Sequence, residues 1–326
     1  VNTPAKLSSF ALGLAVVLGA AAGIGHAVGP VGDTGKPAAH AATDPMGSMD
    51  HDGTSSGTPS EEHSGHGASA AAEDVPGGLM IAQHGYSLEP LTRVFRAGQP
   101  QDLAFVLRGP DGKPITQYAA THEKDLHLIV VRRDLTDFLH VHPSLAADGT
   151  WHYPLTLPEP GQYRMFTDFQ VAGGPAMTLG ADLSAAGDYQ PKPLPAASAS
   201  YEIDGYTVTL EGRLEAGRSS KVTLSVSKDG KPVGDLQPYL AAYGHLVALR
   251  DGDLAYLHVH PEGAPGDGRT PAGPGITFYV TAPTTGDYRL FLDFKHGDTV
   301  HTAAFTAHAG EPTGPAPAAD EHAHHH

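Results

Sequence analysis

The chain carries one succession of motifs twice, and this duplication restricts it to folds that about 110 residues can complete alone. Gly85-Tyr86 in the first half answers to Gly205-Tyr206 in the second, and Ala97-Gly98 to Ala216-Gly217. Asp111-Gly112-Lys113-Pro114 matches Asp229-Gly230-Lys231-Pro232. Phe138-Leu139-His140-Val141-His142-Pro143 matches Tyr256-Leu257-His258-Val259-His260-Pro261, and Gly161-Gln162-Tyr163 matches Gly286-Asp287-Tyr288. His127 precedes His140 by 13 residues, as His245 precedes His258. The copies differ in length only before the Gly-x-Tyr motif, where the second is longer through a Gly- and Pro-rich stretch, 262–274, that reads as a surface loop.

Each copy is a run of short strand signals divided by turn residues. In the second they fall at 206–210, 220–227, 244–249, 255–260, 275–280, 287–294 and 300–307. Seven such strands predict an all-β chain of two tandem immunoglobulin-like β-sandwiches, over 80–192 and 198–310, with 191–197 in the linker between them. No stretch of either copy holds a clean helical period. Gly-x-Tyr just before a strand has the placement of a tyrosine corner.

The hairpins give the histidines meaning. Pairing centred on Asp251-Gly252 sets His245 directly opposite His258, with His260 on the same face. The same reasoning, centred on Arg133-Asp134, pairs His127 with His140 and brings His142 alongside. A slip of one residue separates the rings, because side chains alternate faces. Three imidazoles on one face suit a copper or zinc ion. Asp168 and Asp293 join the candidates, as ligands or as acceptors that fix a histidine tautomer. The second copy adds His296 and His301, where the first has Met177 near the place of His301, so the two sites are expected to differ. Against this stands the plain alternative of hydrogen-bonded core histidines, since both faces of the hairpin are largely apolar. His84, His122 and His152 lack matched equivalents and read as surface or cap residues.

Composition narrows the functions. With 36 acidic against 20 basic residues, the net charge of −16 leaves no basic surface for nucleic acid. The absence of cysteine removes disulfides, thiolate chemistry and cysteine-ligated metal sites, while 21 histidines leave nitrogen-ligated metals open. Gly-x-Ser-x-Gly, His-Glu-x-x-His and phosphate-loop patterns are missing, so no enzyme is expected.

The ends read differently from the copies. Residues 7–32 carry no charged side chain, and residues 1–26 predict a transmembrane anchor or a signal segment. Lys6 before that run and acidic residues after it place the domains outside the cytoplasm, in a single-pass membrane protein or, after cleavage, a secreted one. Residues 27–79 hold eight acidic residues against one basic residue and no aromatic, the composition of a disordered linker. Met46, Met49, His51, His63 and His66 within it are possible weak metal ligands. The tail 311–326 ends in a His-rich run that is either a natural chelating end or a purification scar.

The strings running from His127 to Pro143 and from Tyr243 to Pro261 resemble those of a group of bacterial membrane-anchored or secreted proteins loosely described as heavy-metal-binding. The likeness extends over about residues 80–310 and implies copper ahead of zinc, bound by His127, His140, His142, His245, His258 and His260, and more weakly by Asp168 and Asp293. The expected role is to buffer a transition metal, deliver it or confer resistance to it, with a metal transporter or chaperone as a possible partner. The competing reading is a structural or protein-interaction module of paired sandwiches.

Overall fold

Strand formation follows from alternation. In Ser219–Lys228 every second residue is buried, and Val222, Leu224 and Val226 point into a core while the residues between them face water. The computed structural model describes residues 75–313 apart from residue 258 and the side chain of His260. The expected anchor or signal segment, the linker up to residue 74, the tail from residue 314, and the ring positions of His258 and His260 lie outside the described residues.

All the described elements are strands, in two sandwiches of the same plan within one compact unit. The first sandwich pairs Tyr86–Pro90, Pro100–Arg108 and Thr150–Thr156 in one sheet. Its other sheet runs Val94–Arg96, Ala176–Ala186, Gly161–Val171, Leu126–Arg132 and Leu139–Val141. The second sandwich repeats this with Tyr206–Gly212, Ser219–Lys228 and Gly275–Thr281 against Leu214–Glu215, Thr299–Gly310, Gly286–His296, Gly244–Arg250 and Tyr256–Leu257. In each, a short early strand switches sheets and pairs parallel with the last strand: Val94 lies beside Ser184, and Leu214 beside Ala309. That switch, with antiparallel pairing elsewhere, is immunoglobulin-like topology. The tyrosine corners are in place. The Tyr163 hydroxyl donates to the Glu159 carbonyl at 2.7 Å, and the Tyr288 hydroxyl to the Thr284 carbonyl at 2.9 Å. Among the described residues no helix is long and apolar enough to cross a membrane.

Three apolar clusters hold the unit together. One fills each sandwich, around Phe105, Trp151, Tyr163 and Phe169 in the first and around Phe278, Tyr288, Phe294 and Phe305 in the second. The third lies between the sandwiches and joins Ile129, Val131, Leu135 and Phe166 to Val247, Leu249, Leu254, Tyr256 and Phe291. This explains why strand Leu126–Arg132 is buried along its whole length. Leu126, Leu128 and Val130 face the first core, and Ile129 and Val131 face the partner sandwich. Phe138 stacks on Phe291 with ring centres 4.0 Å apart, and Phe166 meets Tyr256 at 5.6 Å. The matched aromatic positions of the two copies thus cross over in reciprocal fashion. Residues 77–79 reinforce the seam: the Gly77 carbonyl accepts from Tyr256 N at 2.9 Å, and the Gly78 carbonyl accepts from Arg164 Nε at 3.0 Å.

The hairpin register departs from expectation. Ile129 pairs with His140 and Leu128 with Val141, so His127 falls in line with His142 rather than with His140. In the second copy Ala248 pairs with Leu257 and Leu249 with Tyr256, a ladder that does not set residue 245 opposite residue 258. Both ladders are displaced by two residues. Each hairpin is centred one residue later than expected, on Asp134-Leu135 and on Gly252-Asp253. Leu135 and Leu254 adopt left-handed backbone, at φ 62° and 63°, and insert into the seam at 2% and 0% exposure. Arg132 ties the first loop, with Nε and Nη2 donating to Asp134 at 2.9 and 2.8 Å and Nη1 to Glu159 at 2.5 Å. Arg132 is itself buried, at 1% exposure. A shift of two preserves the alternation of faces, so the first trio still shares one side.

Candidate metal centre between the two sandwiches

His127 lies on the central strand Leu126–Arg132, on its seam-facing side, while His140 and His142 flank Val141 on the neighbouring edge. One nitrogen from each of the three rings falls within 4.8 Å of the others. His127 Nδ1 is 3.0 Å from His140 Nε2 and 3.1 Å from His142 Nε2.

The outward nitrogens decide the tautomers. His127 Nε2 lies 3.0 Å from the Thr121 carbonyl, which only accepts, so Nε2 carries the proton and Nδ1 of the neutral ring carries a lone pair. His140 Nδ1 lies 2.8 Å from Asp293 Oδ2 and donates to it, which leaves a lone pair on Nε2 of the neutral ring. Two acceptors therefore face each other at 3.0 Å, with His142 Nε2 beside them. Such a contact is unfavourable unless a cation or a shared proton lies between the rings. The carboxylate that orients His140 belongs to the other sandwich, so the centre is complete only when the domains are packed. Asp293 is itself ordered by Thr302, whose hydroxyl donates to Oδ1 at 2.5 Å. The His140 and Asp293 side chains are each 5% exposed.

Burial keeps much of the cluster neutral. Desolvation lowers the pKa of His127 to about 4 and that of His142 to about 3, with the neighbouring His140 adding to both effects. Desolvation also lowers His245 to about 4, against a rise from its hydrogen bond to Tyr239. Neutral imidazole is the form that ligates a metal.

The remaining candidates separate by strand parity. Asp293 accepts from His140 and is an orienting group, not one of the three converging ligands. Asp168 pairs across the ladder with His127, accepts from the Thr178 hydroxyl at 2.9 Å and lines a small cavity together with His127 and His140. His296 is three residues past Asp293 on one strand and so faces the opposite side of the sheet. There its Nδ1 accepts from the Tyr206 hydroxyl at 2.8 Å, and its Nε2 lies 3.2 Å from Asp235. His301 is opposite Phe294, shares that inner side, and bonds Asp204 through Nδ1 at 2.7 Å. Neither His296 nor His301 joins the described trio, and Met177 packs in the first core.

His245 does come to the seam. Its Nε2 donates to the Tyr239 carbonyl at 2.8 Å, repeating the bond of His127 to Thr121, and its ring lies 6.2 Å from that of His140. His260 is placed only by its backbone, which pairs with Tyr279. Sequence reasoning missed His122, whose ring lies 5.3 Å from His245 and 6.1 Å from His127. No signal in the sequence marked it, because what brings its ring to His245 is the packing of the two sandwiches. A cavity of about 30 Å³ is lined by His122, His127, His140, Asp168 and His245, among others. A larger one of about 510 Å³ lies at the 262–274 insertion and includes no histidine in its lining.

A family model matches residues 82–188 and again 201–311, in the two sandwiches. The chain belongs to the family described as domain of unknown function DUF8832. Both DUF8832 domains contribute to the histidine cluster, the first through its trio and the second through Asp293 and His245. No curated protein matches the chain.

Among solved structures the DUF8832 pair is similar to the Escherichia coli adhesin FdeC, at 13% identity and TM-score 0.24, over 70% of this chain and 65% of that one. It is also similar to the Yersinia pseudotuberculosis adhesin InvE, at 14% identity and TM-score 0.23, over 68% of this chain and 58% of that one. The chain therefore spans less than two thirds of either relative. At these scores the likeness carries no argument about function, and the fold assignment rests on the sheets themselves.

Proposed function

We propose that this protein binds a transition-metal ion, copper foremost with zinc as competitor, at the seam between its two domains. The observation that supports this best is the pair of lone-pair nitrogens held face to face, His127 Nδ1 and His140 Nε2, at 3.0 Å. Thr121 and Asp293 fix the tautomers that create this arrangement. His127, His140 and His142 would hold the ion, and Asp293 would orient His140 and raise its basicity. Three neutral nitrogens suit copper(I), and with one added water they suit zinc. Copper is preferred because the resemblance of the two histidine strings points there. Such a site serves buffering, delivery or resistance outside the cytoplasm, with a metal transporter or chaperone as giver or receiver of the ion.

A second reading is favoured by a specific observation: every trio nitrogen named above already has a protein neighbour within 3.1 Å. In that reading His140 is an imidazolium paired with Asp293, its Nε2–H donates to His127, and the cluster fastens a structural or protein-interaction module. Titration of the full chain with Cu(I) and Zn(II) against competing chelators separates the two. The metal reading expects a Kd below about 10 μM, roughly −7 kcal/mol. It also expects His140→Ala to remove one equivalent of that binding beyond what the terminal histidines hold, and Asp293→Asn to weaken the same equivalent about 10- to 100-fold. Binding unaffected by His140→Ala favours the hydrogen-bonded module.

A further inference from the structure

His122 occupies a turn position whose counterpart in the second copy is Leu240. Both have left-handed backbone, at φ 49° and 52°, and each follows the residue whose carbonyl accepts from His127 or His245. Because leucine serves the second turn, the turn does not explain a histidine in the first.

The ring of His122 crosses the domain boundary. It stands edge-on to His245 at 5.3 Å, with planes at 82°, and 6.1 Å from His127. His245 donates from Nε2 to Tyr239, so its Nδ1 is the nitrogen left to accept. His122 and His245 line the cavity of about 30 Å³ together with His127, His140 and Asp168, whereas His142 does not. The cavity therefore lies beside the trio's point of convergence rather than at it. Its volume is about that of one water molecule, enough for one small ion.

We infer that His122 and His245, one from each domain, form a second ion-accepting locus next to the trio, with Asp168 at its edge. This rests on the metal reading of the trio and extends it from one ion to two of the same class. Ring centres of His140 and His245 only 6.2 Å apart make the two loci close neighbours. Asp168 and Asp293 supply negative charge that offsets repulsion between adjacent cations. An ion can then pass from the trio to a ligand of the other domain without leaving the seam.

The test counts tightly held Cu(I) in the full chain against a competing chelator, so that the histidines of both ends contribute equally to every variant. His142→Ala touches only the trio. His122→Asn touches only the second locus, and asparagine tolerates left-handed backbone. His142→Ala is expected to weaken one equivalent per chain about 10-fold or more, because two trio nitrogens remain, whereas His122→Asn is expected to remove another equivalent and His245→Gln to repeat that effect. The melting temperature of the metal-free variants verifies folding, and His122→Asn alone decides if His245→Gln does not fold. An unchanged count and affinity in His122→Asn, with a loss in His142→Ala, overturns the second locus and leaves the trio standing. No loss in either variant overturns both.

Discussion

His127, His142 and His245 titrate far below the value near 6.5 that each has in an unfolded chain, because burial penalises the imidazolium. Well above a pH of about 6.5 these rings are neutral whether folded or not, and they add no pH dependence. Between about pH 6.5 and pH 4 the unfolded chain takes up protons that the folded rings refuse, so stability falls as the pH is lowered. Each unit of displacement is worth about 1.4 kcal/mol at full effect, and three rings make the loss on the order of several kcal/mol. Urea unfolding of metal-free protein at pH 7.5 and pH 5 is expected to show this loss, reduced in His245→Gln. A profile flat across that window contradicts the assignment of neutral buried rings.

The hairpin is the element on which the trio depends. The shared side of His140 and His142 is legible in sequence, because parity along a strand needs only residue numbers, and His127 joins it because the actual register differs from the expected one by an even number of residues. The register is not, since it turns on Leu135 entering the seam and on Arg132 binding Asp134 and Glu159 inside the loop. Parity also had the means to set His296 apart from Asp293. Arg132→Ala is expected to cost about 3–5 kcal/mol, because the Asp134 carboxylate, whose side chain is 6% exposed, loses its cationic partner and keeps only the Thr136 hydroxyl and the Lys192 amide. Chemical denaturation of the variant measures the cost, and a loss under about 1 kcal/mol would mean that the loop holds its shape by other means.

At the scale of the molecule, the two copies pack into one compact unit because each offers a second apolar face. The sequence announced that face: strand Leu126–Arg132 has no polar side, and a strand apolar on both sides is covered on both. What covers it was not legible, because duplication predicts two like domains and says nothing of how they meet. The bond between His140 and Asp293, 153 residues apart, is the consequence most remote from sequence. Phe291→Ala removes the stack with Phe138 and is expected to cost about 3–5 kcal/mol. Trp151, the one tryptophan, reports on the first sandwich, while circular dichroism reports on both. Their unfolding curves should coincide in the wild type and separate in Phe291→Ala. Coincident curves in the variant would show that the seam does not couple the domains.

The location of the ion is the most direct test of the account. Anomalous diffraction from copper-loaded crystals of the full chain should place a peak among His127 Nδ1, His140 Nε2 and His142 Nε2, about 2 Å from each. Copper found only at the terminal histidines, with His127 Nδ1 still 3.0 Å from His140 Nε2 and 3.1 Å from His142 Nε2 as now, would contradict it.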